Sequence, residues 1–338
     1  AAIWQRPAKV SRAEAELQQR ILTVSDAALR LVEEVRGSFA DVAFAERGEA
    51  LARENVTLLE QALEPLRDRF AVGEASRLDV TRAEYTLLTA RTQLTDRIRA
   101  RSTAQRRLLA LIGRAPANVD WHCDDTAFSF DQSPPLPTEE AVIALTLAQR
   151  LDVAAARSMS SARAADLDLE DVNRLPDVSA GVGFQENFGD RQGVFPTVNV
   201  TPKLFDDNSA RRARAQSLYE QARLAAEHAQ ETAIGEARSA WTSYVSQHSV
   251  VARYDDAILP VVLEQRDLAR EAFRAGETDL TVLLDAEHAF NAARLDRLDR
   301  HHTATRLRYE LERTVGGSLN FESISHDDAT PLPPEVAR

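Results

Sequence analysis

The sequence predicts a mainly α-helical protein made of long antiparallel coiled-coil hairpins in two tandem repeats, with one β-hairpin ahead of the second repeat. Three observations carry this. One stretch of the chain occurs twice, apolar residues recur in steps of three and four over very long spans, and a single segment alternates with a period of two.

The duplicated stretch comes first. Phe70-Ala-Val-Gly73-Glu74 returns as Phe273-Arg-Ala-Gly276-Glu277, and the offset of 203 (276 − 73) holds without a gap to Gly113 and Gly316. Of the 44 residue pairs in that block 11 are identical, among them Ala83/Ala286, Glu84/Glu287, Ala90/Ala293, Arg91/Arg294, Asp96/Asp299, Arg97/Arg300 and Leu108/Leu311. Helices rich in Ala, Arg, Leu and Glu share residues by chance. Chance does not align glycines at both ends of the block, so it reads as an internal duplication.

Composition bounds the function. With 41 basic and 53 acidic side chains the net charge is −12, which lacks the basic footprint of a nucleic-acid binder. Only 12 Gly and 13 Pro interrupt 338 residues, so very long helices are possible. The one cysteine, Cys123, excludes an internal disulfide. No run of about 18 apolar residues occurs, hence no transmembrane helix is expected. The chain starts at Ala1 without Met or signal peptide, and is read as a processed or truncated product.

From Ala13 to about Leu63 a heptad seam runs through Ile21, Val24, Ala28, Leu31, Val35, Ser38, Val42 and Ala45. Pro65 falls near the end of that helix, and Phe70 to Ser76 forms a turn around Gly73. A second helix spans Leu78 to Leu111 with Val80, Ala83, Leu87, Ala90 and Leu94 on its seam; the repeat has Leu283, Ala286, Phe290 and Ala293, and only Arg297 breaks the match. Residues 1–113 thus form the first helical hairpin, and 114–137 a connecting segment rich in proline. Thr138-Glu139-Glu140 then opens a helix that runs to about Arg174, giving a segment 138–176. Within 177–206, Val178, Ala180, Val182 and Phe184 alternate with polar residues or Gly. A turn is expected at Gly189 to Gly193, followed by Val194, Val198, Val200 and Leu204 in a second alternating run. Two strands of about 11 residues fit a tilted transmembrane β-hairpin. A half-buried hairpin on a soluble domain fits the same pattern. Residues 207–317 hold a long helix to about Leu259, interrupted at Pro260, and the second hairpin. Residues 318–338 read as a disordered tail.

With these pieces in order, the chain resembles the TolC-type outer membrane efflux protein family. The resemblance rests on Phe70-x-x-Gly73-x-x-x-x-Leu78-Asp79-Val80-x-x-Ala83-Glu84 and its copy from Phe273 to Glu287. Leu175-Pro176-Asp177-Val178-Ser179 enters the strands as in that family, Pro202-Lys-Leu-Phe205 leaves them, and Leu109-Ala-Leu-Ile-Gly113 and Val315-Gly-Gly-Ser-Leu319 close the repeats. It implies a homotrimer whose strands, marked here by Val178, Val182, Phe184, Val198 and Val200, close one outer membrane β-barrel, continued into the periplasm as an α-barrel. It implies a passive exit duct of a tripartite efflux or type I secretion system, with no enzymatic activity and no cofactor. The tips at Val72, Gly73, Glu74, Ala75 and Ser76 and at Ala275, Gly276, Glu277, Thr278 and Asp279 are the implied contacts for a periplasmic adaptor, which joins the duct to an inner membrane pump. Asp79 and Asp285 fall where the family gates its entrance.

Two departures follow from the same resemblance. Thr278 and Phe273 stand where better-known members have a basic residue and Tyr, so the closing bonds must differ. Each repeat should also carry its own strand pair, and two strands per chain give a trimer only six, fewer than the smallest closed barrels of about eight. The chain is therefore expected to lack an N-terminal portion with a further hairpin.

Other chemistry is sparse. Trp121-His122-Cys123-Asp124-Asp125 holds metal-ligating types, but its donors are consecutive and no second cluster has matching spacing. His301, His302 and His326 read as surface residues, and His288 beside Glu287 and Asp285 leaves passage of metal ions open. There is no phosphate loop, nucleophile elbow or paired-His zinc motif. Asp79 and Asp285 also suit the start of a helix without any gating role. The rival reading is a soluble coiled-coil scaffold of the cell envelope, which long heptad helices fit equally well.

Overall fold

The computed structural model describes residues 5–114, 121–123, 136–173, 177–187, 191–201 and 208–317. The helices are α1 (Arg6–Ala71), α2 (Arg77–Leu111), α3 (Glu139–Gln149), α4 (Leu151–Val172), α5 (Ser209–Arg253), α6 (Leu259–Ala275) and α7 (Leu280–Val315). Strands β1 (Asp177–Asn187) and β2 (Arg191–Thr201) lie between α4 and α5, and a π-turn, Tyr254–Ile258, joins α5 to α6. The mainly α architecture of two long hairpins plus one β-hairpin is the one expected. The 66 residues of α1 make it roughly 100 Å long at about 1.5 Å per residue.

The chain divides into two compact units. The first comprises Ala1–Leu29, Glu140–Ala237 and Thr314–Ser318. Its core is made of Val142 and Leu145 on α3, Val153, Ala162, Ala165 and Leu169 on α4, Ala215, Ala233 and Ala237 on α5, and Val315. So many alanines let helices approach closely. Polar ties hold the ends: Gln5 Nε2 donates to Asn173 Oδ1 at 3.0 Å, and Arg12 pairs with Asp166 at 3.0 Å. Asn208, buried at a left-handed φ of 59°, donates to the Glu170 backbone carbonyl just before α5 begins.

The single helix expected from 138 to 174 is in fact two. Arg150 is extended, with φ −70° and ψ 115°, and its guanidinium bonds to Asp152 and Glu236. The reason lies across from it. Gly316, left-handed at φ +89°, comes so close that an added Cβ would meet Arg150 Cα and Gln149 C and O at 3.0 Å. The break lets the end of α7 rest on the chain between α3 and α4.

The second unit comprises Arg30–Glu139, Arg238–Arg313 and Leu319–Arg338. Its first hairpin is apolar along the seam: Val56, Leu59, Leu63 and Leu66 of α1 pack on Ala83, Leu87 and Ala90 of α2, with Val80, Leu94, Leu280 and Leu284 beside them. Each Val or Leu buried this way contributes roughly 1.5–3 kcal/mol. In the second hairpin the positions of Leu63 and Leu87 hold Arg266 and Phe290, and the guanidinium carbon sits 4.1 Å from the ring centroid.

Three further expectations are corrected. α1 runs past Pro65 to Ala71, because Pro65 is exposed and the carbonyl that its missing N–H leaves unbonded can be hydrated. The interruption placed at Pro260 begins at Tyr254 instead; Pro260 sits in the first turn of α6, where its lack of an N–H costs nothing. In the α1 seam Ser38 and Val42 are buried, but Ile21, Val24 and Leu31 are 50%, 70% and 51% exposed. No helix among the described residues is long and apolar enough to cross a membrane.

β1 and β2 pair antiparallel with Asp177 opposite Thr201 and Asn187 opposite Arg191. This register sets Val178 across from Val200, Ala180 from Val198 and Val182 from Pro196, so both apolar phases share one face. Val182, Val198 and Val200 are 65%, 67% and 57% exposed there. The turn is tighter than expected: Arg191 to Gly193 already pair with Asn187 to Gln185. The side chains of Val178 and Phe184 lie outside what is described, as do Pro202 to Phe205, most of 114–137 and the tail beyond Gly317.

Candidate functional site

Each hairpin tip is built by a glycine that only a left-handed turn requires. α1 ends at Ala71, Gly73 takes φ +82°, and its N–H donates to the Phe70 carbonyl at 3.0 Å while Glu74 N–H reaches back to Arg69 O at 2.8 Å. The second tip repeats this 203 residues later: Gly276 has φ +75°, its N–H donates to Phe273 O at 3.1 Å, and Glu277 N–H donates to Ala272 O at 2.9 Å. Nothing lies within 4 Å of a Cβ added at either glycine. Conformation, not crowding, selects glycine here.

Beyond the first turn, Ser76 caps α2. Asp79 N–H donates to Ser76 Oγ at 3.1 Å, and Asp79 Oδ2 accepts from Ser76 N at 3.3 Å and Ser76 Oγ at 2.7 Å, a reciprocal capping box. At the second tip Val282 N–H donates to Asp279 O at 3.1 Å. Asp79 and Asp285 are brought together along one groove of about 160 Å³, lined also by Arg82 and Tyr85 of α2 and Leu280 and Leu284 of α7. Asp285 stands at the repeat position of Arg82 (285 − 203), so one hairpin offers a cation where the other offers an anion. At the tips Val72 is 72% and Phe70 43% exposed.

Residues 3–114 match the family model of the outer membrane efflux protein. Among solved structures, the outer-membrane channel OprN aligns over 93% of this chain and 72% of its own at 19% identity, with a TM-score of 0.75. The outer membrane protein VceC from Vibrio cholerae aligns over 93% and 76% at 18% identity, with a TM-score of 0.71. The open state of the Neisseria gonorrhoeae MtrE outer membrane channel aligns over 91% and 72% at 21% identity, also with 0.71. The chain carries the fold of these outer membrane channels. A search of curated proteins by sequence gave no significant match.

Sequence reasoning missed a pair of ties behind the tips. Arg67 Nη2 bonds Glu84 Oε1 at 2.8 Å, and Arg270 Nε bonds Glu287 Oε1. The signal was available, since Arg67 and Arg270 also differ by 203 and stand three residues outside the matched block.

Of the histidines read as surface residues, His301 is not one: its side chain is 11% exposed and lies 3.2 Å from Asp255. The His302 side chain is 34% exposed and lies 2.7 Å from Asp41, with its ring 5.0 Å from that of Phe44. His326 lies outside the described residues. Burial alone would raise the Asp41 carboxyl, but the His302 bond and the charges of Arg306 and His302 hold it below its ordinary 3.8. Glu33 is the reverse case. Burial pushes it up from 4.5 to about 7, with Glu312 adding to the rise and Arg313 and Arg36 opposing it.

Trp121 to Cys123 is strapped to the first hairpin: Gln105 Nε2 donates to Trp121 O at 2.7 Å, Cys123 N–H to Glu46 Oε2 at 3.2 Å, and His122 Nδ1 lies 3.4 Å from Glu46. Asp124 and Asp125 lie outside the described residues. Among the described residues no three His, Cys, Asp or Glu side chains converge as metal ligands.

Proposed function

We propose that this chain is a subunit of an outer membrane exit duct, serving a tripartite efflux or type I secretion system of a Gram-negative-type bacterium, with most of its length in the periplasm. The observation that carries the reading is the fold itself, shared over 93% of the chain with an outer-membrane channel. Two surfaces support it. The exposed Val182, Val198 and Val200 give the β-hairpin an apolar face that lipid would cover. Val10, Leu17, Ile21, Val24 and Leu31 form an exposed heptad stripe on α1, which neighbouring copies in a homotrimer would bury.

In this reading Val72 to Ser76 and Ala275 to Asp279 meet a periplasmic adaptor, which links the duct to an inner membrane pump. Asp79 and Asp285 gate the entrance. In a three-fold assembly each gives a ring of three carboxylates able to draw cations, and the lone groove of one chain is then a third of the constriction. Asp79 is at the same time the N3 half of the α2 capping box, so the two roles are separable only by substitutions that keep the box.

The test is a charge on the hairpin face. Arginine at Val198 costs about 2–4 kcal/mol at a bilayer midplane. Val198→Arg is expected to move the protein from the carbonate-resistant membrane pool to the soluble pool, while Thr197→Arg on the other face leaves it in the membrane. Recovery of the parent and both variants in the soluble pool would favour the soluble scaffold, and equal membrane retention of both variants would take lipid off the Val198 face.

A further inference from the structure

The backbones of the two hairpins differ at the π-turn. α1 is uninterrupted α-helix through residues 51–55, whereas the second repeat opens there into the π-turn Tyr254–Ile258, where Leu259 N–H donates to Tyr254 O five residues back. One residue inserted into an α-helix rotates all that follows by about 100° and would turn the seam away from its partner. The repeat offset marks such an insertion. Below the π-turn it is 203 (270 − 67), whereas above it the buried Ser38 and Val42 of α1 correspond to the buried Ala240 and Tyr244 of α5 at 202 (244 − 42). The widened turn takes up the extra residue, so Tyr244 and Val251 before it and Ala269 after it are all buried.

The same place is polar. Asp255, in the π-turn, accepts from Arg297 Nε and lies 3.2 Å through each oxygen from His301 Nε2. The first repeat has Leu94 and Ile98 at these two positions of its second helix, and Leu94 packs against the apolar seam. An apolar side chain at the place of Arg297 would therefore pack here as Leu94 does in the other hairpin. A half-buried ion cluster in their place adds a defined geometry more than it adds stability.

We propose that Tyr254–Ile258 is a conformational joint of the second hairpin, at which α6 and α7 change register against α5 as the widened turn migrates, and that Asp255 held by Arg297 and His301 is the latch fixing one setting. The first hairpin, α-helical and apolar along its seam, has no such joint and moves as a rod.

Hydrogen–deuterium exchange on the full chain in detergent micelles tests this without reference to transport. Amides 255–259 are expected to exchange at least about tenfold faster than amides 52–56 of α1. Asp255→Asn should accelerate 255–259 about tenfold more and leave 52–56 unchanged. Deleting Asp256 should close the turn into α-helix and slow the segment to the rate of 52–56. Equal rates at the two segments in the parent chain would overturn the joint, and an unchanged rate in Asp255→Asn would overturn the latch. Should Asp255→Asn not fold, the parent comparison and the deletion still decide. None of these readouts depends on the chain forming an outer membrane duct, so failure here and failure of that reading are distinguishable.

Discussion

Arg67 and Glu84 pair at 2.8 Å across the first hairpin, and Arg270 and Glu287 pair across the second at positions 203 residues later. The duplication has thus kept a bond, not only a pattern. The two copies differ in burial, because the Glu84 side chain is 44% exposed and that of Glu287 only 17%. Exposed pairs contribute little, while a carboxylate left unpaired in a partly dry site costs about 1–3 kcal/mol. Arg270→Ala is expected to lower the thermal midpoint clearly, and Arg67→Ala to leave it nearly unchanged. Unfolding followed by circular dichroism checks the order, and a larger loss in Arg67→Ala would contradict it.

Glycine replacement should separate conformation from crowding. Gly73→Ala meets open space and carries only the left-handed penalty, about 1–2 kcal/mol. Gly316→Ala carries that penalty and also presses its Cβ on the backbone of Gln149 and Arg150, so it should cost about 3 kcal/mol or more. Equal losses by denaturant titration would mean that the approach to Arg150 relaxes freely.

How much of this was legible in the sequence follows from the same residues. Gly73, Gly276, Gly113 and Gly316 marked the ends of the repeat, and all four are left-handed in the structure, because a helix-ending turn leaves a backbone trace that only glycine fits well. The β-hairpin was legible because a period of two differs from a period of 3.6. The break at Arg150 was not, since its cause is Gly316, which is distant in sequence. The π-turn was half visible. Arg297 stands out in the sequence against Leu94, but nothing there points to Asp255 as its counter-ion; the structure sets the two together. The capping box at Ser76 and Asp79 follows a known spacing, yet only the helix start at Arg77 showed which role the aspartate takes first.

Glu33 predicts a pH dependence. Its carboxyl is raised from 4.5 to about 7 in the folded chain, so the folded state binds the proton more tightly than the unfolded one. Stability therefore falls as the pH rises from about 4.5 to about 7, and the full penalty is present above that window. Glu33→Gln should be more stable than the parent at pH 8, by about 1 kcal/mol once solvent screening is allowed for, and nearly equal to it at pH 5. Asp41 acts in the opposite window, its contribution being complete above its ordinary 3.8 and lost as the pH falls through the depressed value. Thermal midpoints of Glu33→Gln and parent at the two pH values check the sign. A difference independent of pH would contradict it.

Whether the protein forms an outer membrane duct is read directly from its conductance. Extracted in detergent from the envelope of its own bacterium and added to a planar lipid bilayer, it is expected to run as a trimer by sedimentation and to give discrete conductance steps. A monomer that leaves the bilayer silent would contradict the account and return the long helices to the scaffold reading.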